Sequence, residues 1–189
     1  MKKRCNWLNY NNPIYVDYHD NEWWVPKYDD KELFGLLVLE SFQAGLSWET
    51  ILNKREDFKI SFDNFDIDKI INYDDNKINE LMNNKKIIRN RLKIESTINN
   101  AKVFKEIQKE YNTFSNYIWS FTSNKIIYEC NKTSSKLSDE ISRDLKKRGM
   151  KFIGTTIIYS YLQAIGIIYS HDKECFLYKS IWNWFKNII

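Results

Sequence analysis

Apolar residues recur at three- and four-residue intervals along most of the chain, and that period predicts helices nearly throughout. Asp29 or Asp30 can cap a helix bearing Leu33, Phe34, Leu37, Leu39 and Phe42, which stops at Gly45. Ser47 can cap the next, with Trp48, Ile51 and Leu52, ahead of the charged stretch at 54–57. Asp66 begins a short helix, and Asp74 or Asp75 another that ends near Met82. Beyond a link at 83–89, the stripe Ile94, Ile98, Ala101, Phe104, Ile107 and Tyr111 marks a long helix. Ser138 is expected to open a helix with Ile141 and Leu145, closed by Gly149 after Lys146, Lys147 and Arg148. Thr155 is expected to cap an apolar helix through Ile158, Tyr161, Leu162, Ile165 and Ile168 that delivers His171 and Cys175. Strand signals are weak, since the segment 125–128 is short and alternates poorly. With five Gly and two Pro there is no linker that would split the chain. The expected fold is all-α, a single domain over residues 1–189, with 176–189 as an aromatic C-terminal extension.

Composition adds a compartment and a class of partner. At 43% hydrophobic and 16% aromatic, the 189 residues can fill a sizeable core, so the abundant Lys and Asn belong to the surface. The net charge of +4 fits a polyanion partner, and a surplus of Trp and Tyr fits stacking on bases. No apolar run is long enough to span a membrane, and the basic N-terminus lacks the apolar stretch of a signal peptide. Three cysteines, with Cys130 left over from any pairing, fit a reducing compartment. An intracellular, cytoplasmic protein is expected.

Three features carry candidate chemistry. Both histidines and two cysteines fall at the two ends as Cys5, His19, His171 and Cys175. Either they are two unrelated pairs, or they form a closed Cys2His2 zinc site that clips the termini together and leaves no open position for reaction. On a helix, His171 and Cys175 would project from one face. Glu40 shares its helical face with Leu36, Leu37, Gln43 and Ala44, so its carboxylate points into an apolar wall. Such a charge needs either a nearby lysine or amide, or a ligand with amino donors. Trp48, returned towards it by the Gly45-Leu46-Ser47 break, and Tyr18 beside His19 would suit the second case, a purine. Finally, the link from Asn84 to Lys93 carries five basic residues at a helix N-terminus, either a solvated face or a phosphate-binding one. Lys146-Lys147-Arg148 is a second basic cluster, at a helix end where cations are favoured for purely structural reasons.

Several strings together resemble the DNA-3-methyladenine glycosylase I family. They are Cys5-Asn6-Trp7, Tyr18-His19-Asp20-Asn21-Glu22-Trp23 with Val25-Pro26, Gln43-Ala44-Gly45-Leu46-Ser47-Trp48, Trp119-Ser120-Phe121, and Lys146-Lys147-Arg148-Gly149 running into Lys151-Phe152-Ile153-Gly154-Thr155-Thr156. The likeness runs in order from about residue 4 to residue 175. It implies a helix-hairpin-helix glycosylase, with structural Zn2+ on Cys5, His19, His171 and Cys175. It also implies a lesion pocket built on Glu40, Tyr18 and Trp48, with Trp7, Tyr15 and Trp23 lining it. Excision of 3-methyladenine from alkylated double-stranded DNA is implied, by a monomer acting in base-excision repair without lyase chemistry. Lys85, Arg89 and Arg91 on the basic link become the expected contacts to the DNA backbone.

The chain departs from the family pattern at Trp24 and Lys86, where glycine is usual, and in its strongly aromatic tail from Phe176 to Phe185. Trp24 would either narrow the pocket or stand outside it. The tail is either an extra packed helix or a partner surface. The rival readings are a zinc-stapled module that binds damaged bases without cleaving them, and a hydrolytic zinc enzyme, which would need three protein ligands and a water.

Overall fold

The computed structural model of the chain describes residues 2–178. Asn12 caps α1 (Pro13–Asp17), which runs directly into a π-helical turn, Tyr18–Glu22. Next comes α2 (Asp30–Gln43), capped by Asp29, whose carboxylate accepts from the Glu32 amide. From Leu33 to Phe42 every residue of α2 except Leu36 is buried, so this helix has no polar face and must be wrapped on all sides. The wrapping is done by α3 (Trp48–Leu52), α4 (Arg55–Ser61), α7 (Arg91–Tyr111), α8 (Phe114–Ser120) and α10 (Thr155–Ala164). Between α4 and α7 lie a 3-10 turn (Asp63–Phe65), α5 (Ile67–Ile70) and α6 (Asp75–Asn83); α9 (Lys136–Lys147) packs on α10. Gly35 lets the 3-10 turn press on α2, since a β-carbon there would stand 2.6 Å from the Phe65 ring. Aromatic rings fill the remaining space, with Phe104 stacked on Phe114 at 4.0 Å and Phe42 edge-on to Phe58 at 4.8 Å. Among the described residues, no helix is long and apolar enough to cross a membrane.

The start signals for the early helices are the expected ones, because Ser47, Asp66 and Asp74 each accept an amide of their own first turn. Three expectations need correcting. Helix α9 begins one turn early: Ser135 is its cap, and Ser138 is the residue that answers Ser135 in a reciprocal capping box. Helix α10 is capped at Gly154, with Thr155 as its first residue, and does not continue to His171. It ends at Ala164, turns at Gly166 (φ +80°), and enters β2 (Ile168–Tyr169). A β-carbon on Gly166 would lie 2.5 Å from the Pro26 nitrogen, so the chain can turn there only without a side chain. The third concerns 125–128, where Ile127–Tyr128 forms β1 and pairs in parallel with β2, a two-residue bridge in an otherwise helical fold. Of the aromatic extension, Phe176 donates its amide to the Lys3 carbonyl; the part beyond residue 178 lies outside the described residues.

Two of the basic residues act inside the fold. Arg148 donates to Glu110 and Asp144 and lies over the Tyr111 and Tyr117 rings, clamping the end of α9 to α7. Lys93 does not join the exposed run of the basic link. It is buried, and its Nζ donates to the carbonyls of Phe42 at 2.8 Å and Ala44 at 2.7 Å. Those carbonyls belong to the free C-terminal end of α2, where a cation meets both unpaired acceptors and the negative helix terminus. Lys93→Met should strand both carbonyls and cost about 2 kcal/mol. Urea unfolding should therefore shift to a lower midpoint, and an unchanged midpoint would contradict the clamp.

Candidate active site and metal centre

Three pieces of chain converge near the C-terminal end of α2. The π-turn supplies Tyr18, α2 supplies Glu40 and Gln43, and α3 supplies Trp48, brought back by Gly45 at φ +81° and by the Ser47 cap. Together with Trp7, Tyr15 and Trp23 they line a cavity of about 260 Å³. All six side chains expected to form a pocket are thus in one place. The Tyr18 and Trp48 rings lie 5.5 Å apart at 48°, and Trp7 bridges Tyr15 (5.4 Å) and Trp23 (4.9 Å, edge-on).

Glu40 is 2% exposed, and its Oε2 has no hydrogen-bond partner among the described residues. Neither a lysine nor a backbone amide satisfies it, so the first of the two alternatives for this residue does not hold. Burial alone pushes its carboxyl well above the usual range, with no opposing charge to bring it back. The buried Trp48 Nε1 also lacks a partner. An acceptor and a donor, both desolvated and unsatisfied, therefore border the same aromatic cavity. Buried polar atoms are normally paired, and such exceptions mark places where a ligand completes the set.

Sequence reasoning missed the rest of the lining, formed by Ser160 and Gln163 of α10, Ser170 and Asp172 after β2, and Asn131 and Lys132 after β1. One signal was available. Ser160 and Gln163 are three apart in the otherwise apolar run Tyr159-Ser160-Tyr161-Leu162-Gln163, and so share a face.

On the other side of the π-turn, Cys5, His19, His171 and Cys175 are all buried, with their ligand atoms within 4.8 Å of one another. Cys5 Sγ and Cys175 Sγ stand 3.3 and 3.5 Å from His171 Nδ1, and Cys175 Sγ stands 3.7 Å from His19 Nε2. A tetrahedral ion with bonds of about 2.0–2.3 Å has ligand–ligand edges of about 3.3–3.8 Å, so the donor set fits a metal with four protein ligands. Burial, with His19 nearby, pushes His171 down to about 3, which keeps the imidazole in the neutral form a metal requires. His19 is oriented from behind: its Nδ1 lies 2.8 Å from Asp20 Oδ1, and Arg4 holds that carboxylate through two bonds of 2.8 and 2.7 Å. The spacing argument for His171 and Cys175 needs correction. They sit not on a helix but on the exit from β2 and a turn closed by the Cys175 amide on the Asp172 carbonyl at 2.8 Å.

Trp24 keeps the left-handed backbone (φ +74°) that favours glycine, and its ring stands outside the cavity, against Tyr169 at 5.6 Å and His171 at 5.9 Å. It therefore walls the Cys/His cluster instead of narrowing the pocket. Lys86 has no positive φ, so its position does not call for glycine here. Of the basic link, Lys85 and Arg89 are exposed and have no ion-pair partner among the described residues, whereas Arg91 donates to Asn79 at 2.6 Å and pairs with Glu95.

Comparison with known proteins gives a consistent answer. The profile of the methyladenine glycosylase family matches residues 7–178. DNA-3-methyladenine glycosylase 1 of Escherichia coli K12 is 40% identical over 183 residues, covering 93% of this chain and 97% of that protein. A crystal structure of a 3-methyladenine DNA glycosylase I superposes with a TM-score of 0.88 at 39% identity, over 92% of this chain and 98% of the other. A Staphylococcus aureus 3-methyladenine DNA glycosylase I, solved to define its recognition of 3-methyladenine, gives 0.84 at 36% identity over 87% and 90%. With this agreement in sequence over nearly the whole length, and in fold, the chain belongs to the methyladenine glycosylase family.

Proposed function

We propose that this protein is a monofunctional DNA-3-methyladenine glycosylase of base-excision repair, with Glu40, Tyr18 and Trp48 as the core of its lesion pocket. The observation that carries the reading is the buried, unpaired Glu40 carboxyl beside an aromatic cavity. A base alkylated at N3 carries positive charge, and it would bring into that cavity the counter-charge the protein leaves out. The damaged nucleotide leaves the helical stack of double-stranded DNA and its base enters between the rings. Trp48 and Tyr18 hold the purine face, Trp7, Tyr15 and Trp23 exclude water from its edges, and Glu40 accepts from its amino edge. Because the cationic purine is already a good leaving group, little acid or base catalysis is needed. Water adds its oxygen to C1′ as the glycosidic bond breaks. The bonding pair leaves with the purine and cancels its charge, the surplus proton passes to solvent, and an abasic site remains.

Lys85 and Arg89, with Arg91 behind them, would meet phosphates at the start of α7, on what we read as the hairpin of a helix-hairpin-helix element. Cys5, His19, His171 and Cys175 would hold one Zn2+ per chain. With four protein ligands, zinc supplies cross-linking rather than a bound water, which argues against a hydrolytic metal centre. We read the chain as one glycosylase domain, monomeric and active in the cytoplasm, where the DNA is.

Four measurements test this. Wild-type protein should release 3-methyladenine from methylated duplex DNA, with no protein–DNA adduct trapped by borohydride. Glu40→Gln and Trp48→Ala should each lower the rate about 10- to 100-fold with the fold intact. Full activity in both, or tight binding without release by wild type, would point to a reader of damage instead. Stability should move the other way in Glu40→Gln. Above about pH 4.3 an unfolded Glu gives up its proton while the buried one keeps it, so the folded state loses stability as pH rises towards the raised pKa. The variant should therefore melt higher than wild type at neutral pH, with the gap closing below about pH 4; a variant that melts lower at neutral pH contradicts the unpaired carboxyl. Chelation should remove one zinc per chain and lower the melting temperature and base release together, through loosening of Tyr18 beside His19. A metal-stripped protein with an unchanged melting temperature would exclude the staple.

A further inference from the structure

Lys132 is the cavity-lining cation. It stands after β1, on a segment of the lining separate from the helices that carry Glu40 and Trp48. A lysine is a poor neighbour for a cationic base, because like charges in a partly desolvated site repel. Its position makes sense if it faces the other part of the substrate. A flipped nucleotide brings two phosphates to the mouth of the pocket, and these are the anions the ligand itself supplies. The local structure prepares the lysine for that role. The Glu129 amide extends the β1–β2 bridge by donating to the Tyr169 carbonyl at 3.1 Å, which anchors Glu129. Asn131 then turns the chain at φ +57°, and Lys132 Nζ comes back to Glu129 Oε1 at 3.0 Å. The Lys132 side chain remains 51% exposed while Glu129 is 17% exposed, so the pair presents the ammonium outward and the carboxylate inward.

We propose that Lys132, positioned by Glu129, binds a phosphate flanking the flipped nucleotide and so holds the lesion in the pocket from the strand side. The inference rests on the glycosylase reading of the same site, and adds to it a residue that recognises the DNA strand instead of the base. The β1–α9 loop then has a function: it carries a phosphate clamp up to the cavity that holds the base-selecting carboxyl.

The test uses the full-length protein and a duplex with one central abasic analogue, so that strand binding is read without base release. In Lys132→Met, affinity at low salt should fall roughly tenfold, and the slope of log K against log salt should drop by about 0.9, the signature of one lost phosphate contact. Lys132→Arg should restore both. Binding of free 3-methyladenine, which has no phosphate, should be unchanged in Lys132→Met. An unchanged salt slope would overturn the assignment, as would an equal loss of free-base affinity, which would place Lys132 in the base pocket. A borohydride-trapped adduct in wild type that disappears in Lys132→Met would make the lysine a nucleophile and overturn it too. Failure of wild type to release any base, with the salt-slope result intact, would instead count against the glycosylase reading.

Discussion

The structure is organised around one unfavourable act, the burial of a carboxyl group with no partner. Glu40 stands on a helix buried from Leu33 to Phe42 save for Leu36, 2% exposed and facing a cavity instead of a cation. Such a group would relax towards solvent or a lysine if its surroundings allowed it. They do not. Lys93, the nearby buried ammonium, is taken up by the carbonyls of Phe42 and Ala44, so it fixes the end of α2 without neutralising the pocket. The Ser47 cap fixes Trp48, and the π-turn fixes Tyr18. Local stability is given up at the site and recovered from the aromatic core around it, a common arrangement where binding requires a pre-formed and unsatisfied group.

The Cys/His cluster and the pocket share the π-turn Tyr18–Glu22 and divide its faces. His19 faces the cysteines, Tyr18 faces Glu40, and Trp23 touches both by lining the cavity while meeting His171 edge-on at 4.7 Å. A closed set of four ligands cannot take part in bond cleavage, yet it can hold the N- and C-terminal segments that supply half of the pocket wall. Asp172 illustrates the coupling: its amide reaches Cys5 Sγ at 3.4 Å, its carboxylate accepts from Asn6, and the residue lines the cavity.

Much of this was legible in the sequence, for physical reasons that differ by residue. Caps such as Asp29, Ser47 and Asp74 are local chemistry, and the amphipathic stripe of α7 is a local period, so both read correctly. Glu40 was recognisable because a lone acid on an apolar helical face has few explanations. Lys93 was not, since a basic residue in a basic run looks solvated until the partner carbonyls, about fifty positions away in sequence, are known. The β1–β2 bridge is too short to leave a pattern, and with it the wall carrying Asn131, Lys132 and Ser170 was hidden. His171 and Cys175 were rightly grouped for the wrong geometric reason, because a strand exit and a turn can bring together what a helix also would. The two serines of the α9 capping box show the limit of local signals: either could be the cap, and only the hydrogen bonds assign Ser135.

Membership of the methyladenine glycosylase family and the desolvated pocket meet in one claim, that the charge of Glu40 is completed by the charge of the damaged base. Titration of the Glu40 carboxyl carbon by 13C NMR, with and without a permanently cationic dimethylated adenine, addresses it directly. In the free protein the carboxyl should titrate well above the ordinary glutamate range, and it should fall sharply when the cation binds. An ordinary titration in the free protein, or one that the cation leaves unmoved, would contradict it.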